Sequence, residues 1–217
     1  MTPPPRQPTT SFYESLVAEL SAARLTGRPE ARSFGTTRPL QGDQLREWVA
    51  SQAWYEREAA CFIGAWLRDV PEDDIFYGLT RQVADEGRHH HLFSRHLADL
   101  GWSLADWRPE PEWIEWIQVF YPSGNDTIER VAAHNITGEL GAIQAFESLY
   151  PRLPRQTRTI IDRVTPDERF HVQLGKMTVE RYALSDEEKS RVKARAFQAL
   201  ELEKLGRIAF ERRLGPD

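Results

Sequence analysis

The chain is poor in cysteine, in lysine and in long apolar runs. Its single cysteine, Cys61, excludes a disulfide framework and any cysteine-rich zinc or iron–sulfur site. Only 4 lysines stand beside 24 arginines, and 28 basic residues against 33 acidic ones give a net charge of −5. Without a basic excess there is nothing to neutralise a phosphate backbone, so a nucleic-acid partner is not expected. No stretch approaches the roughly 18–20 uninterrupted apolar residues of a membrane span. Met1–Thr10 is rich in proline and lacks an apolar signal core, so a cytoplasmic protein is expected. What remains is globular in kind: 217 residues, 40% of them hydrophobic, suffice for one domain with a sizeable core.

No segment alternates with period two between turn signals, and the fold class read from the pattern is all-α. Residues 1–10 read as a disordered tail, 11–24 as a short amphipathic helix and 25–41 as a connector broken by Gly27, Pro29, Gly35 and Pro39. Long helical patterns follow over about 43–70, 72–100, 126–150 and 155–182. A fifth starts behind the capping box Ser185-Asp186-Glu187-Glu188 and covers 186–214. Residues 101–124 separate the two helix pairs. They carry Trp102, Trp107, Trp113 and Trp116 among Pro109, Pro111 and Pro122, with room for a short helix at 112–120. Residues 11–214 thus read as a single domain: a four-helix bundle with one long crossover, an N-terminal helix and a C-terminal fifth helix.

Two Glu-x-x-His motifs, Glu86-Gly87-Arg88-His89 and Glu168-Arg169-Phe170-His171, are weak signals taken singly. Their context is stronger. Leu79, Glu86, Phe93 and Leu100 recur every seven residues, and Ile75, Gln82, His89 and His96 form a parallel row. Both motif residues therefore lie on an inward stripe. Ile161, Glu168, Gly175 and Tyr182 repeat the arrangement, with Val164 and His171 beside them. Glu139 lies on the stripe Ile128, Ala132, Asn135, Glu139, Ala142, Phe146 and is flanked by Gly138 and Gly141. The two helix pairs repeat at a nearly constant offset: 81 from Glu58 to Glu139, 82 from Glu86 to Glu168 and 82 from His89 to His171.

Burying one unpaired charge costs several kcal/mol, and four carboxylates together would be forced to protonate. Two divalent cations balance four carboxylates and leave both histidines neutral. The candidate ligands are Glu58, Glu86, His89, Glu139, Glu168 and His171, a mixed oxygen and imidazole set that suits iron or manganese. Glu56 competes with Glu58. It shares the stripe Leu45, Val49, Gln52, Ile63, whereas Glu58 sits with Trp54, Tyr55, Phe62 and Ala65; the interval favours Glu58. Thr165-Pro166-Asp167-Glu168 also reads as a helix start, so a break or kink is expected just before Asp167, with a more mobile second metal position.

These motifs, with Glu56-Arg57-Glu58-Ala59 and Leu67-Arg68-Asp69-Val70-Pro71-Glu72-Asp73, make residues 43–182 resemble the ferritin-like di-iron carboxylate superfamily, and within it the aldehyde-deformylating oxygenases. The resemblance also favours Glu58. It implies two iron ions (manganese or a mixed pair as variants), O2 as co-substrate, and an external reductase or ferredoxin. The reaction it implies is hydroxylation, desaturation, N-oxidation or carbon–carbon cleavage of a small organic molecule. It further implies that Asp85 and Asp167 orient the ligand imidazoles. Phe62, Phe93 and Phe146 would frame the substrate pocket, and a monomer or homodimer is expected. A ferritin-like ferroxidase that handles iron is the alternative, and a metal-free helical interaction module is the third reading.

Overall fold

The computed structural model describes residues 11–26 and 38–214; the expected tail 1–10 and most of the connector 25–41 lie outside them. The described residues contain no strand. None of their helices is long and apolar enough to cross a membrane.

Helix α1 (Phe12–Thr26) is followed by α2 (Gly42–Trp66), whose inward stripe runs from Leu45 through Val49, Ala53, Glu56, Ala59 and Ile63. After a short 3-10 turn, α3 (Asp73–Asp99) starts with Asp73 and Asp74, charges that suit a helix N-terminus. It closes on Gly101 at φ +79°, where the Trp102 amide donates back to the Leu97 carbonyl. Only glycine takes that left-handed turn without steric cost.

The tryptophan-rich crossover is more ordered than a loop. It contains α4 (Pro111–Trp113), which continues as a π-helical stretch over Ile114–Phe120. Trp54, Trp107, Trp113 and Trp116 pack with ring centroids 5.7–6.2 Å apart, and Trp113 meets Phe210 at 5.5 Å. The indole N–H of Trp113 donates to the Gly206 carbonyl at 2.8 Å. The crossover is thus a wall between α2 and the last helix.

Asp126 caps α5 (Thr127–Val131) by accepting from the Glu129 amide. The chain then winds as a π-helix over Ala132–Gly138, all seven residues buried, before α6 (Glu139–Leu149). Helix α7 (Arg155–Tyr182) lies antiparallel to α3. Tyr182 and Arg181 at its end bond Asp74, and Thr157 near its start bonds His96 at 2.8 Å. The break expected before Asp167 is absent, and α7 runs unbroken through Pro166. Proline leaves the carbonyl four residues earlier without its amide partner. That carbonyl belongs to Asp162, which like Pro166 is exposed, so water can satisfy it.

Helix α8 (Asp186–Leu214) starts with the Ser185–Glu188 capping box formed in both directions. It is part of the body and lies along the buried π stretch, where Thr137 Oγ1 donates to the Ala196 carbonyl. A second, smaller apolar cluster joins it to α1 through Leu16, Leu20, Ile136, Val179, Val192 and Leu200. Beside that cluster the buried Arg24 of α1 bonds the buried Glu203 of α8 at 2.8 Å and the Thr137 carbonyl at 2.9 Å.

Arg24→Ala would strip Glu203 of one of two guanidinium partners while Arg207 remains. A loss of about 2 kcal/mol in unfolding free energy is expected, below the cost of a wholly unpaired buried charge. Urea unfolding checks it; an unchanged midpoint would mean that α1 is not held by this pair.

Candidate metal centre

Four helical segments send an acid to one point in the interior. Glu56 comes from α2, Glu86 and His89 from α3, Glu139 from the first residue of α6, and Glu168 and His171 from α7. The i, i+3 spacing puts Glu and His of each motif on one face. Because α3 and α7 run antiparallel, the two motifs face each other. All six side chains are at most 3% exposed.

His89 Nδ1 faces Glu168 Oε1 at 3.3 Å, Glu56 Oε2 at 3.6 Å and Glu86 Oε2 at 3.6 Å. His171 Nδ1 faces Glu168 Oε2 at 3.0 Å, Glu139 Oε1 at 3.2 Å and Glu86 Oε1 at 3.5 Å. Glu86 and Glu168 each turn one oxygen to each imidazole, so they bridge two half-sites. Glu56 and His89 complete one half, Glu139 and His171 the other. In the groups Glu56, Glu86, His89, Glu168 and Glu86, Glu139, His171 the donor atoms lie within 4.8 Å of one another.

The outer imidazole nitrogens cross over. His89 Nε2 meets Asp167 of α7 at 3.3 Å, and His171 Nε2 faces Asp85 of α3 at 3.5 Å. Arg88 donates to both aspartates, at 2.8 and 2.7 Å. A proton at Nε2 directed at an aspartate leaves the Nδ1 lone pair aimed inward. His89 Nδ1 is buried and makes no hydrogen bond.

Glu58 is not part of this cluster. It is half-buried and accepts from Gln118 at 3.0 Å, and Glu56 occupies the position expected for it. The offset from Glu56 to Glu139 is 83, one more than the 82 of the other two pairs. The extra residue arises within the helix pairs, since Glu56 precedes Glu86 by 30 residues whereas Glu139 precedes Glu168 by 29. Of the three phenylalanines expected to frame a pocket, Phe146 lines the cavity beside the cluster. Phe62 packs instead on His134 and Tyr121, and Phe93 on Trp48. Two amides went unremarked as site residues although they lie on the inward stripes. Gln82 Nε2 donates to Glu139 Oε1 at 2.8 Å and Glu86 Oε1 at 3.0 Å. Asn135 holds Gln82 at 2.6 Å.

Burial pushes the Glu56 and Glu139 carboxyls well up. Burial also opposes charge on Glu86 and Glu168, but the imidazoles outweigh it and hold both below the usual range. It opposes charge on His89 and His171 in turn, and the surrounding carboxylates outweigh it, raising both. Without other cations the imidazolium groups are therefore the counter-charge of the cluster. His134 differs. It is buried beside Tyr55, whose hydroxyl lies 3.0 Å from its Nε2, and burial holds its pKa down at about 4.

A cavity of about 80 Å³ opens beside the cluster. Its walls are Trp48, Tyr55, Trp113, Trp116, Phe146 and Phe210, with Glu56, Glu139, Glu168 and Arg207 also in the lining. Cys61 is exposed and takes no part.

No protein-family model matches the chain, and no curated protein matches it. Among solved structures it is similar to a TenA homologue from Pyrococcus furiosus. The likeness has a TM-score of 0.75 and covers 94% of this chain and 100% of that one, at 14% identity. Such a likeness shows the fold: an all-helical, TenA-like architecture. It corrects the resemblance drawn from the motifs, since the similarity is to a TenA homologue and not to a ferritin-like di-iron protein. The O2-dependent oxygenase and ferroxidase functions rested on that resemblance and fall with it. The physical reason is plain. Paired Glu-x-x-His motifs require only two antiparallel neighbouring helices, which more than one helical scaffold supplies.

In the metal-free protein the folded chain keeps His134 neutral down to about pH 4, whereas the unfolded chain binds a proton near pH 6.5. Stability is therefore lost as pH falls from about 6.5 towards 4, by about 3 kcal/mol. His134→Gln is expected to remove that share of the slope in urea unfolding at several pH values. An unchanged slope would mean that His134 is protonated inside the fold.

Proposed function

We propose that this chain is a metal-dependent enzyme acting on a small molecule in the aromatic cavity beside a two-cation centre. Glu56, Glu86, His89, Glu139, Glu168 and His171 would hold the cations. The carrying observation is the pair of buried donor groups that share Glu86, each with its donor atoms within 4.8 Å.

The donor set fits the group. The buried, unbonded His89 Nδ1 points into the carboxylates, as a metal-ligating nitrogen would. Carboxylate oxygen with imidazole nitrogen suits iron or manganese. Charge agrees as well: the four glutamates carry −4, two divalent cations carry +4, and Asp85 and Asp167 are met by Arg81 and Arg88. When bound, such a pair would supply Lewis-acid polarisation and a template for the substrate. The protein does the rest. Asp167 and Asp85 hold the imidazole protons on Nε2, Gln82 steadies Glu86 and Glu139, and the tryptophan wall gives the cavity an apolar side.

A second reading is an acid–base enzyme that works on this TenA-like scaffold without a metal. Glu56 and Glu139, kept protonated by burial, would then serve as general acids towards a molecule in the same cavity.

Metal counting separates the two. After anaerobic loading with Fe(II), or loading with Mn(II), roughly two ions per chain are expected, with release of roughly four protons as the two imidazolium groups and the protonated Glu56 and Glu139 become ligands. Glu139→Ala and Glu56→Ala should each lose at least one ion, whereas Glu58→Ala should keep both. Less than one ion per chain would sink the metal-dependent reading and leave the acid–base one.

A further inference from the structure

The cavity has one cationic group in its lining, Arg207 of α8, and that group is over-supplied with positive charge. Its Nε donates to Glu203 Oε1 at 2.8 Å and its Nη2 to the Gly141 carbonyl at 3.1 Å. Its Nη1 makes no hydrogen bond among the described residues. Glu203 is only 1% exposed and already bonds Arg24 at 2.8 Å. Two guanidinium groups therefore share one carboxylate, and neither can give up its proton. One positive charge is left over. The metal cluster does not use it, because there the charges already cancel. The remaining charged groups of the lining, Glu56, Glu139 and Glu168, all belong to that cluster.

A single surplus charge on a planar fork with a nitrogen to spare matches a monoanion, and a carboxylate in particular. A phosphate dianion would bring one charge too many. The body of the molecule would lie among Trp113, Trp116, Phe146 and Phe210, which offer rings and no further charge. The size is bounded too: a cavity of about 80 Å³ has room for roughly five to eight non-hydrogen atoms. Gly141 makes the arrangement possible, since a Cβ there would lie 2.7 Å from Glu203 Oε1 and push the carboxylate away.

We propose that the cavity takes a short monocarboxylic acid whose carboxylate is held by Arg207 and whose hydrocarbon body faces the aromatic wall. This names the substrate class of the site and rests on the metal-dependent reading above. Arg207 is a specificity-determining residue here.

The probes are pentanoate and its neutral isostere pentanamide, titrated into full-length protein loaded with Mn(II). Binding is followed by the fluorescence of the wall tryptophans, and metal content is measured on the same sample. Pentanoate should bind about tenfold more tightly than pentanamide, the scale of one charge-assisted hydrogen-bonded pair. Arg207→Gln should abolish that preference. Arg207→Lys keeps the charge without the fork and should lose about threefold of it; it decides the matter if the glutamine variant does not fold. Equal binding of the two probes, or no binding of pentanoate, would overturn the proposal. So would a full preference in every folded variant, which would place the carboxylate on the cations instead. A low metal count with the Arg207-dependent preference intact would sink the metal-dependent reading and not this one.

Discussion

Four carboxylates and two imidazoles meet in the interior, none of them more than 3% exposed, and most of the architecture follows from keeping them together. Like charges at this spacing repel, and the low-dielectric surroundings make the repulsion expensive. Each neighbouring element lowers that cost. Glu-x-x-His on two antiparallel helices interleaves imidazole with carboxylate, Gln82 donates to two of the acids, and the aspartates hold the outer imidazole nitrogens. The long tryptophan-bearing connection and α8 then close the remaining side, and the cavity is the space they leave.

The irregular backbone is concentrated at that place as well. The π stretch over Ala132–Gly138 is wholly buried and delivers Glu139 into the cluster from a glycine-flanked turn. A Cβ on Gly138 would stand 2.7 Å from the Tyr121 hydroxyl, so the close approach of the wall depends on that residue having none. Pro166, by contrast, costs α7 little, because the carbonyl it leaves unbonded faces solvent. Two departures from regular helix thus have opposite meanings. One aims a functional side chain, and the other is tolerated because solvent can reach the missing partner's place.

Much of this was legible in the amino-acid pattern. Period 3.6, the caps at Asp126 and Ser185 and the absence of alternation point to an all-helical chain, which the structure has. Five of the six side chains of the cluster follow from the stripes and the Glu-x-x-His spacing. The sixth is ambiguous between Glu56 and Glu58, because offset counting assumes that the two helix pairs are spaced alike, whereas Glu56 to Glu86 spans 30 residues and Glu139 to Glu168 spans 29. The stripe through Leu45, Val49 and Gln52 held the correct information. The scaffold was not legible. Motif spacing reports which side chains share a helix face, whereas the order in which helices pack is set by the tryptophan wall and α8, whose contacts are far apart in the chain. The surplus charge at Arg207 also escaped, since it depends on Arg24, Glu203 and Arg207 meeting from two helices.

The aspartates cross between the motifs. Asp85 adjoins Glu86 in the chain but faces the imidazole of α7, and Asp167 adjoins Glu168 but faces that of α3, with Arg88 spanning both. Neither helix therefore carries a self-sufficient half of the centre. An injury to α3 at Asp85 would be felt first on the far side of the cluster, beside His171 and Glu139. The two halves of the cluster are in this sense each other's keepers.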